Sequence, residues 1–273
     1  MTRRLAVGVN WQGEFEREKV FERVKVADDA GVDSVFVAEA WGRDAFTLLT
    51  QMAERTKRIK LGTGIVNYYS RTPAALAQHF ATLDELSEGR MIIGLGASSA
   101  NVIEHFHGVK FEPTLARMRE TVQIINTLMA GQKLVFHGKV FNLDRGFTLR
   151  FEPVRRHIPV YIASFRPKAV KVVAEIADGW MPTMVPLQQA KAQVDRFLGY
   201  VREAGRDPSQ MTVRFLGVTV AKDKERAVEA AKAGTAFYIA RMGDYYYQQL
   251  CDMGLADDAN AIRQAWTEGG SAA

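Results

Sequence analysis

Residues 59–99 read IKLGTGIVNYYSRTPAALAQHFATLDELSEGRMIIGLGASS. Two apolar runs, 59–67 and 91–99, flank a turn and a helical pattern over 74–90. Neither run alternates polar with apolar residues, as expected of parallel strands buried on both faces. Both end in small residues: Gly62, Thr63 and Gly64 in the first, then Gly94, Gly96, Ala97, Ser98 and Ser99 in the second. Parallel α/β sheets place their chemistry at the carboxyl ends of their strands. Two neighbouring strand ends without side-chain bulk would let a flat ring or a phosphate tail lie against backbone. The competing explanation is that small residues only permit close packing of the helices that follow.

Towards the N-terminus, RLAVGVNW (4–11) reads as a strand ending in Asn10 and Trp11. Phe15, Val20, Val24, Ala27 and Ala30 then recur at helical spacing before Gly31. DSVFVAEA (33–40) is a strand that stays apolar until Glu39. A carboxylate at the end of a buried strand needs a partner or a task. A helix over 44–56 returns the chain to the central stretch.

Towards the C-terminus, residues 100–112 form a loop or short helical turn holding Asn101, Glu104, His105 and His107. A helix then runs from Pro113 to Gly131. Residues 133–151 suggest a hairpin inserted before the pattern resumes, with its turn at His137 and Gly138. Strands are expected at 158–164, 179–183 and 211–221, with helices over 165–178, 187–204, 224–240, 244–253 and 257–267. That makes seven βα repeats without a linker, implying an α/β parallel sheet with right-handed crossovers. Nothing after Ala221 reads as an eighth strand. The expectation is one barrel domain over 1–273, open or completed by residues outside this stretch.

Composition narrows the function. Hydrophobic content of 47% and charged content of 25% are those of a soluble globular chain. The sole cysteine, Cys251, excludes an internal disulfide and a cysteine-rich metal site, so the cytoplasm is the default compartment. No signal h-region or membrane-length apolar run is present. A net charge of +5 and a pI near 9.3 suit an anionic ligand. The basic residues are scattered among acids, which argues against nucleic acid as a partner. His105, His107 and Glu104 lack a third ligand at metal spacing, so no metal is expected. His79 reads as structural. No G-x-S-x-G, Walker loop or G-x-G-x-x-G occurs.

GTGIVNYYSRTP, LDELSEGRMIIGLGAS, HGVKFEPTLARMRE and ADGW together resemble the bacterial luciferase-like barrel family, over about residues 4–267 and in the same order. More narrowly they resemble its coenzyme F420 (deazaflavin)-dependent oxidoreductase branch, which includes methylenetetrahydromethanopterin reductase. The resemblance implies a TIM-type (β/α)8 barrel of the luciferase-like type, here lacking its last strand and helix. It also implies a deazaflavin or flavin ring lying across the barrel mouth. A non-prolyl cis peptide would fall at Gly64–Ile65, forming a bulge that bends the ring.

Cofactor contacts implied by the resemblance are Glu39, Thr63, Gly64, Ile65 and Asn67, then Ala97, Ser98, Ser99 and Asn101 along the ring and ribityl chain. Ala163, Ser164, Phe165 and Arg166 lead into a helix N-terminus suited to phosphate, with Lys168 nearby. Gly179 and Trp180 would close the opposite side. Glu39 is the candidate for hydrogen bonding the ring or moving a proton, its alternative being a salt bridge. Asn10 stands where the methylenetetrahydromethanopterin reductases carry a glutamate; an amide cannot be a general acid but still hydrogen-bonds. Glu104 or His105 is a candidate acid/base facing substrate.

The implied activity is hydride transfer between the deazaflavin C5 and a small organic substrate. Alternatives are an FMN-dependent monooxygenase of the same fold and a non-catalytic flavin or deazaflavin carrier. Trp11, Trp41 and Tyr68 suggest an apolar, aromatic pocket. Tyr245, Tyr246 and Tyr247 with Leu250 read either as the surface of a homodimer or as the core of a late helix.

Overall fold

In the computed structural model, which describes residues 4–9, 16–215 and 221–269, the seven expected parallel strand positions lie side by side. The first two repeats are β1 (Ala6–Val9), α1 (Arg17–Asp29), β2 (Ser34–Val37) and α2 (Ala45–Arg55). Asp44 caps α2 by accepting the Thr47 N–H at 2.7 Å, which sets the helix start predicted from sequence.

The strand expected over 59–67 is two strands, β3 (Lys60–Thr63) and β4 (Val66–Asn67), separated at Gly64–Ile65. β3 pairs with β2 on one side, and the lower half of β5 (Met91–Gly96) on the other. β4 pairs with the upper half of β5. Between them α3 (Pro73–Leu86) starts at Thr72, whose hydroxyl accepts the Ala75 N–H, with Pro73 in the first turn, where its missing N–H costs nothing.

Residues 100–112 contain a true helix, α4 (Ala100–His105), before α5 (Thr114–Met129). The predicted hairpin is β6 (Leu134–His137) against β7 (Asn142–Phe147), an antiparallel pair apart from the main sheet. Buried Glu120 of α5 ties its turn down by accepting the N–H groups of Lys139, Val140 and Phe141. The sheet continues through β8 (Val160–Ala163), α6 (Pro167–Ile176), β9 (Gly179–Trp180), α7 (Leu187–Glu203) and β10 (Thr212–Val213). The strand read over 211–221 is therefore shorter within the described residues, and 216–220 lie outside them. Asn10 and Trp11 also lie outside the described residues. Three helices follow: α8 (Lys224–Arg241), α9 (Asp244–Asp252) and α10 (Ala256–Gly269).

The order β1-β2-β3-β5-β8-β9-β10 is all parallel. Its two edges form no ladder with each other among the described residues. The sheet nevertheless curls until they are one side chain apart: Arg4 Nη2 donates to Thr212 Oγ1 at 3.0 Å. Alternate residues then face two compartments. Val35, Val37, Leu61, Ile93 and Leu95 pack outward on the helices, while Phe36, Ile92, Tyr161 and Met181 fill the lumen. Burial on both faces is why these runs show no polar alternation.

Gly94 and Gly96 exist for the break in β3–β4. A β-carbon on Gly94 would fall 1.7 Å from the Thr63 carbonyl oxygen, and one on Gly96 would fall 2.9 Å from the Ile65 side chain. Thr63 itself locks the pair, donating its hydroxyl to Gly94 O at 2.6 Å and accepting the Gly94 N–H at 3.0 Å. The glycines of β5 therefore serve packing, although what they admit is the neighbouring strand rather than a following helix. No described helix is long and apolar enough to cross a membrane.

Candidate functional site

At the carboxyl ends of three adjacent strands, a half-exposed floor of small groups forms. The Gly64–Ile65 peptide is cis, with the Gly64 N–H donated to Val37 O at 2.7 Å and Ile65 O accepting the Glu39 N–H at 3.2 Å. Gly96 stands opposite Ala163 in the β5–β8 register, so Ala97, Ser98 and Ser99 run beside Ser164 and Phe165. Gly64, Ile65, Ala97, Ser98, Ser99, Ala163 and Ser164 are all half-buried; Phe165 is buried and Arg166 exposed. Ser98 holds φ at 62°, a left-handed backbone unfavourable for any residue with a β-carbon and typical of functional strand ends.

Four sequence candidates are placed differently from the expectation. Thr63 and Asn67 are buried. Thr63 holds Gly94, as above, and Asn67 Oδ1 accepts the N–H groups of Tyr69 and Ser70, so both side chains shape the turn. Trp180 is 1% exposed and lies in the helical layer against Phe197, its indole N–H donated to Ser164 O at 2.7 Å. It supports the floor from behind rather than closing the mouth. Gly179 is packed against Tyr161 and Thr212 O. The outward phase of a two-residue strand put Trp180 there, which no local sequence signal reveals.

Glu39 has its partner. Oε1 accepts Arg71 Nη1 at 2.6 Å, and Oε2 accepts Arg71 Nη2 at 3.1 Å and the Ala45 N–H at 2.9 Å. Arg71 also reaches Asp44 at 2.6 Å and lies over the Phe46 ring. Burial alone would lower the Arg71 pKa, but its two carboxylates raise it. Asp44 is likewise held below its usual range: desolvation opposes this, and the Thr47 hydrogen bonds and Arg71 outweigh it. The salt bridge expected as the alternative for Glu39 is thus present. Arg71 was legible only as part of a turn, because its partner lies 32 residues away.

Glu104 is exposed, with Oε1 accepting the Phe111 N–H at 3.1 Å, which closes the loop after α4. Its neighbour His105 is exposed as well. His107 lies 3.4 Å from Asn67 Nδ2, and burial lowers its pKa. Among the described residues no three His, Cys, Asp or Glu side chains gather as a metal site.

Sequence reading did not anticipate the lid. Helices α8–α10 share a small core of Ile239, Leu250 and Ala259 and lie against the loops at the strand ends. Trp41, after β2, meets Phe237 of α8, and Gln249 of α9 donates to the carbonyls of Thr183 and Met184, after β9. Tyr245 has its phenol pKa raised by burial, its oxygen facing the amides of Phe165 and Arg166, whose guanidinium lies over its ring. Tyr246 packs edge-on to Tyr238, and Tyr247 donates to Asn260. Tyr245 is exposed and Tyr246 and Tyr247 are half-buried, so the aromatic run flanks the small core of the late helices. Asn101 lines a 600 Å³ cleft with Arg241, Asp244, Arg263 and Trp266. The Tyr68 hydroxyl is buried without a hydrogen-bond partner.

A curled parallel (β/α) sheet, with a broken third strand, a small-residue floor and a helical layer over the strand ends, defines a known class. The chain belongs to the luciferase-like monooxygenase family, whose model matches residues 6–273. It is 34% identical over 237 residues (81% of this chain, 68% of the other) to a Mycobacterium tuberculosis protein provisionally named a coenzyme F420-dependent oxidoreductase. It is also 34% identical over 248 residues (89% of this chain, 72% of the other) to the 5,10-methylenetetrahydromethanopterin reductase of Archaeoglobus fulgidus. Among solved structures, the coenzyme F420-dependent tetrahydromethanopterin reductase of Methanopyrus kandleri superposes with a TM-score of 0.85. That match covers 98% of this chain and 81% of the other at 24% identity, a likeness of fold.

Proposed function

We propose that this protein is a coenzyme F420-dependent oxidoreductase acting on a small organic substrate. One observation supports it above the rest: Gly64, Ile65, Ala97, Ser98, Ala163 and Ser164 form a half-exposed floor at three adjacent strand ends, beneath a lid. A flat tricyclic ring needs such a surface, where backbone replaces bulk. The named relatives support the choice of deazaflavin over other flat ligands.

The residues fit that group in charge as well as shape. Arg166 and Lys168 are exposed beside the floor and have no carboxylate partner among the described residues, which suits a phosphate and acidic tail. When bound, the deazaflavin supplies the hydride-accepting and hydride-donating carbon, C5. The chain's part is to orient and to exclude water. Ser98 and Ser164 offer hydrogen bonds at the ring edge. Glu39, paired with Arg71, fixes the loop after β2 as a positioning residue. A homodimer in the cytoplasm belongs to the same proposal, to be read by sedimentation and fractionation.

The test is equilibrium binding of coenzyme F420 and FMN to the purified protein, in parallel, by quenching of ligand fluorescence. Tight deazaflavin and weak FMN binding are expected. Preference for FMN would replace the proposal with an oxygen-using monooxygenase, and binding of neither would overturn both.

A further inference from the structure

Inside the lumen sits a charge that the proposed reaction does not use. Thr212 and Arg214 follow the inward phase of β10, since Val213 packs with the outer core and the Arg214 N–H is donated to Trp180 O at 2.9 Å. The Arg214 guanidinium lies over the ring of Phe36, 3.8 Å from its centroid. Phe36 in turn fills the space beside Gly64, where an added β-carbon would fall 3.0 Å from the Phe36 β-carbon. The arginine is therefore stacked on a lumen side chain that itself borders Gly64.

Two of its three side-chain nitrogens are unsatisfied among the described residues. Nε and Nη1 are sealed from water and have no hydrogen-bond partner, and no carboxylate among the described residues pairs with the side chain. Burial depresses its pKa to about 10, which still leaves it charged at neutral pH. Elsewhere in this chain Arg71 is paired with Glu39 and Asp44, Arg155 with Asp84, and Arg90 with five oxygens, whereas Arg117, stacked on Tyr69 and Phe141, also leaves its Nε without a partner among the described residues. An unpaired buried charge is a standing loss of stability unless something binds it.

We propose that Arg214 is the receptor for a carboxylate carried by the substrate, so that the enzyme acts on a small organic anion. A guanidinium stacked on an aromatic ring keeps its N–H edge free, and that edge matches a planar carboxylate in a bidentate pair. The cofactor's acidic tail does not compete, because Arg166 and Lys168 lie outside, after β8. The word substrate rests on the oxidoreductase reading; the anion site does not.

The experiment is thermal unfolding of the protein, without cofactor, in rising sodium acetate against sodium chloride at fixed ionic strength, for the parent, Arg214→Met and Arg214→Lys. In chloride, Arg214→Met is expected to melt about 2–4 °C higher, because an unpaired charge is replaced by apolar volume. Acetate should raise the parent Tm saturably, Arg214→Lys less, and Arg214→Met not at all. A lower Tm or failure to fold for Arg214→Met would show a structural arginine and overturn the proposal. Equal acetate shifts in all three proteins would do the same. Inorganic phosphate is the second arm, and a response to phosphate alone overturns the carboxylate assignment. F420 titration of the same variants separates the two proposals: unchanged affinity in Arg214→Met is expected, and its loss would move Arg214 to the cofactor site. No F420 binding by the parent would remove the oxidoreductase reading while leaving the acetate result standing.

Discussion

Gly94→Ala tests the reason for the broken strand. An ideal β-carbon at Gly94 falls 1.7 Å from the Thr63 carbonyl oxygen and 2.8 Å from its carbon, both backbone atoms of the adjacent strand. Ordinary carbon–oxygen contact is about 3.3 Å, so β3 and β5 would have to part by roughly 1.5 Å. That separation breaks the two bonds between the Thr63 hydroxyl and the Gly94 backbone, in a place closed to water. Stranding buried partners costs about 1–3 kcal/mol per bond, and overpacking adds about 1–3 kcal/mol. Even at the low ends the sum is about 3 kcal/mol, a large share of a typical stability of about 5–15 kcal/mol. Urea unfolding followed by circular dichroism reads it. Gly234→Ala is the control: Gly234 is in α8, exposed, with nothing within 4 Å of an added β-carbon. It should gain about 0.5–1 kcal/mol from helix propensity. A Gly94→Ala protein within 1 kcal/mol of the parent would refute the close-approach argument.

Asp84→Ala should destabilise by about 3–5 kcal/mol, since buried Asp84 takes Arg155 through two oxygens and the Met91 N–H at 3.1 Å. The same urea titration checks it, and a loss below 1 kcal/mol would mean the pair is dispensable. The His157–Asp178 contact, 2.9 Å, makes stability pH-dependent. The hydrogen bond to Asp178 raises the His157 pKa above 6.5, so its contribution is full below that value and fades as pH rises through the raised pKa. Burial alone would raise the Asp178 pKa, but His157 and the Val160 N–H hold it below 3.8. Its contribution is therefore present above that value and fades as pH falls through the depressed pKa. The Tm advantage of the parent over His157→Gln should thus peak between about pH 4 and 6.5 and shrink in alkaline buffer; a constant difference across pH would contradict this.

The βα alternation, most helix limits and the hairpin were legible because they rest on neighbours. Asp44 and Thr72 cap helices three residues on, and apolar runs reveal strands buried on both faces. The small-residue strand ends were legible too, and they form the floor of the proposed site. What could not be read was the partner of each lone group. Glu39 finds Arg71 32 residues away, Gly94 admits a carbonyl 31 residues away, and Tyr245 reaches the amides of Phe165 and Arg166 from a helix far along the chain.

Sequence by itself determined the class of fold and the strand ends where its chemistry belongs, since periodicity and capping act over a few residues. Only the tertiary structure decided that Trp180 supports the floor from behind, that Glu39 pairs with Arg71, and that Arg214 meets no carboxylate among the described residues. Those outcomes depend on which strand curls next to which, and on the phase with which each short strand enters the sheet.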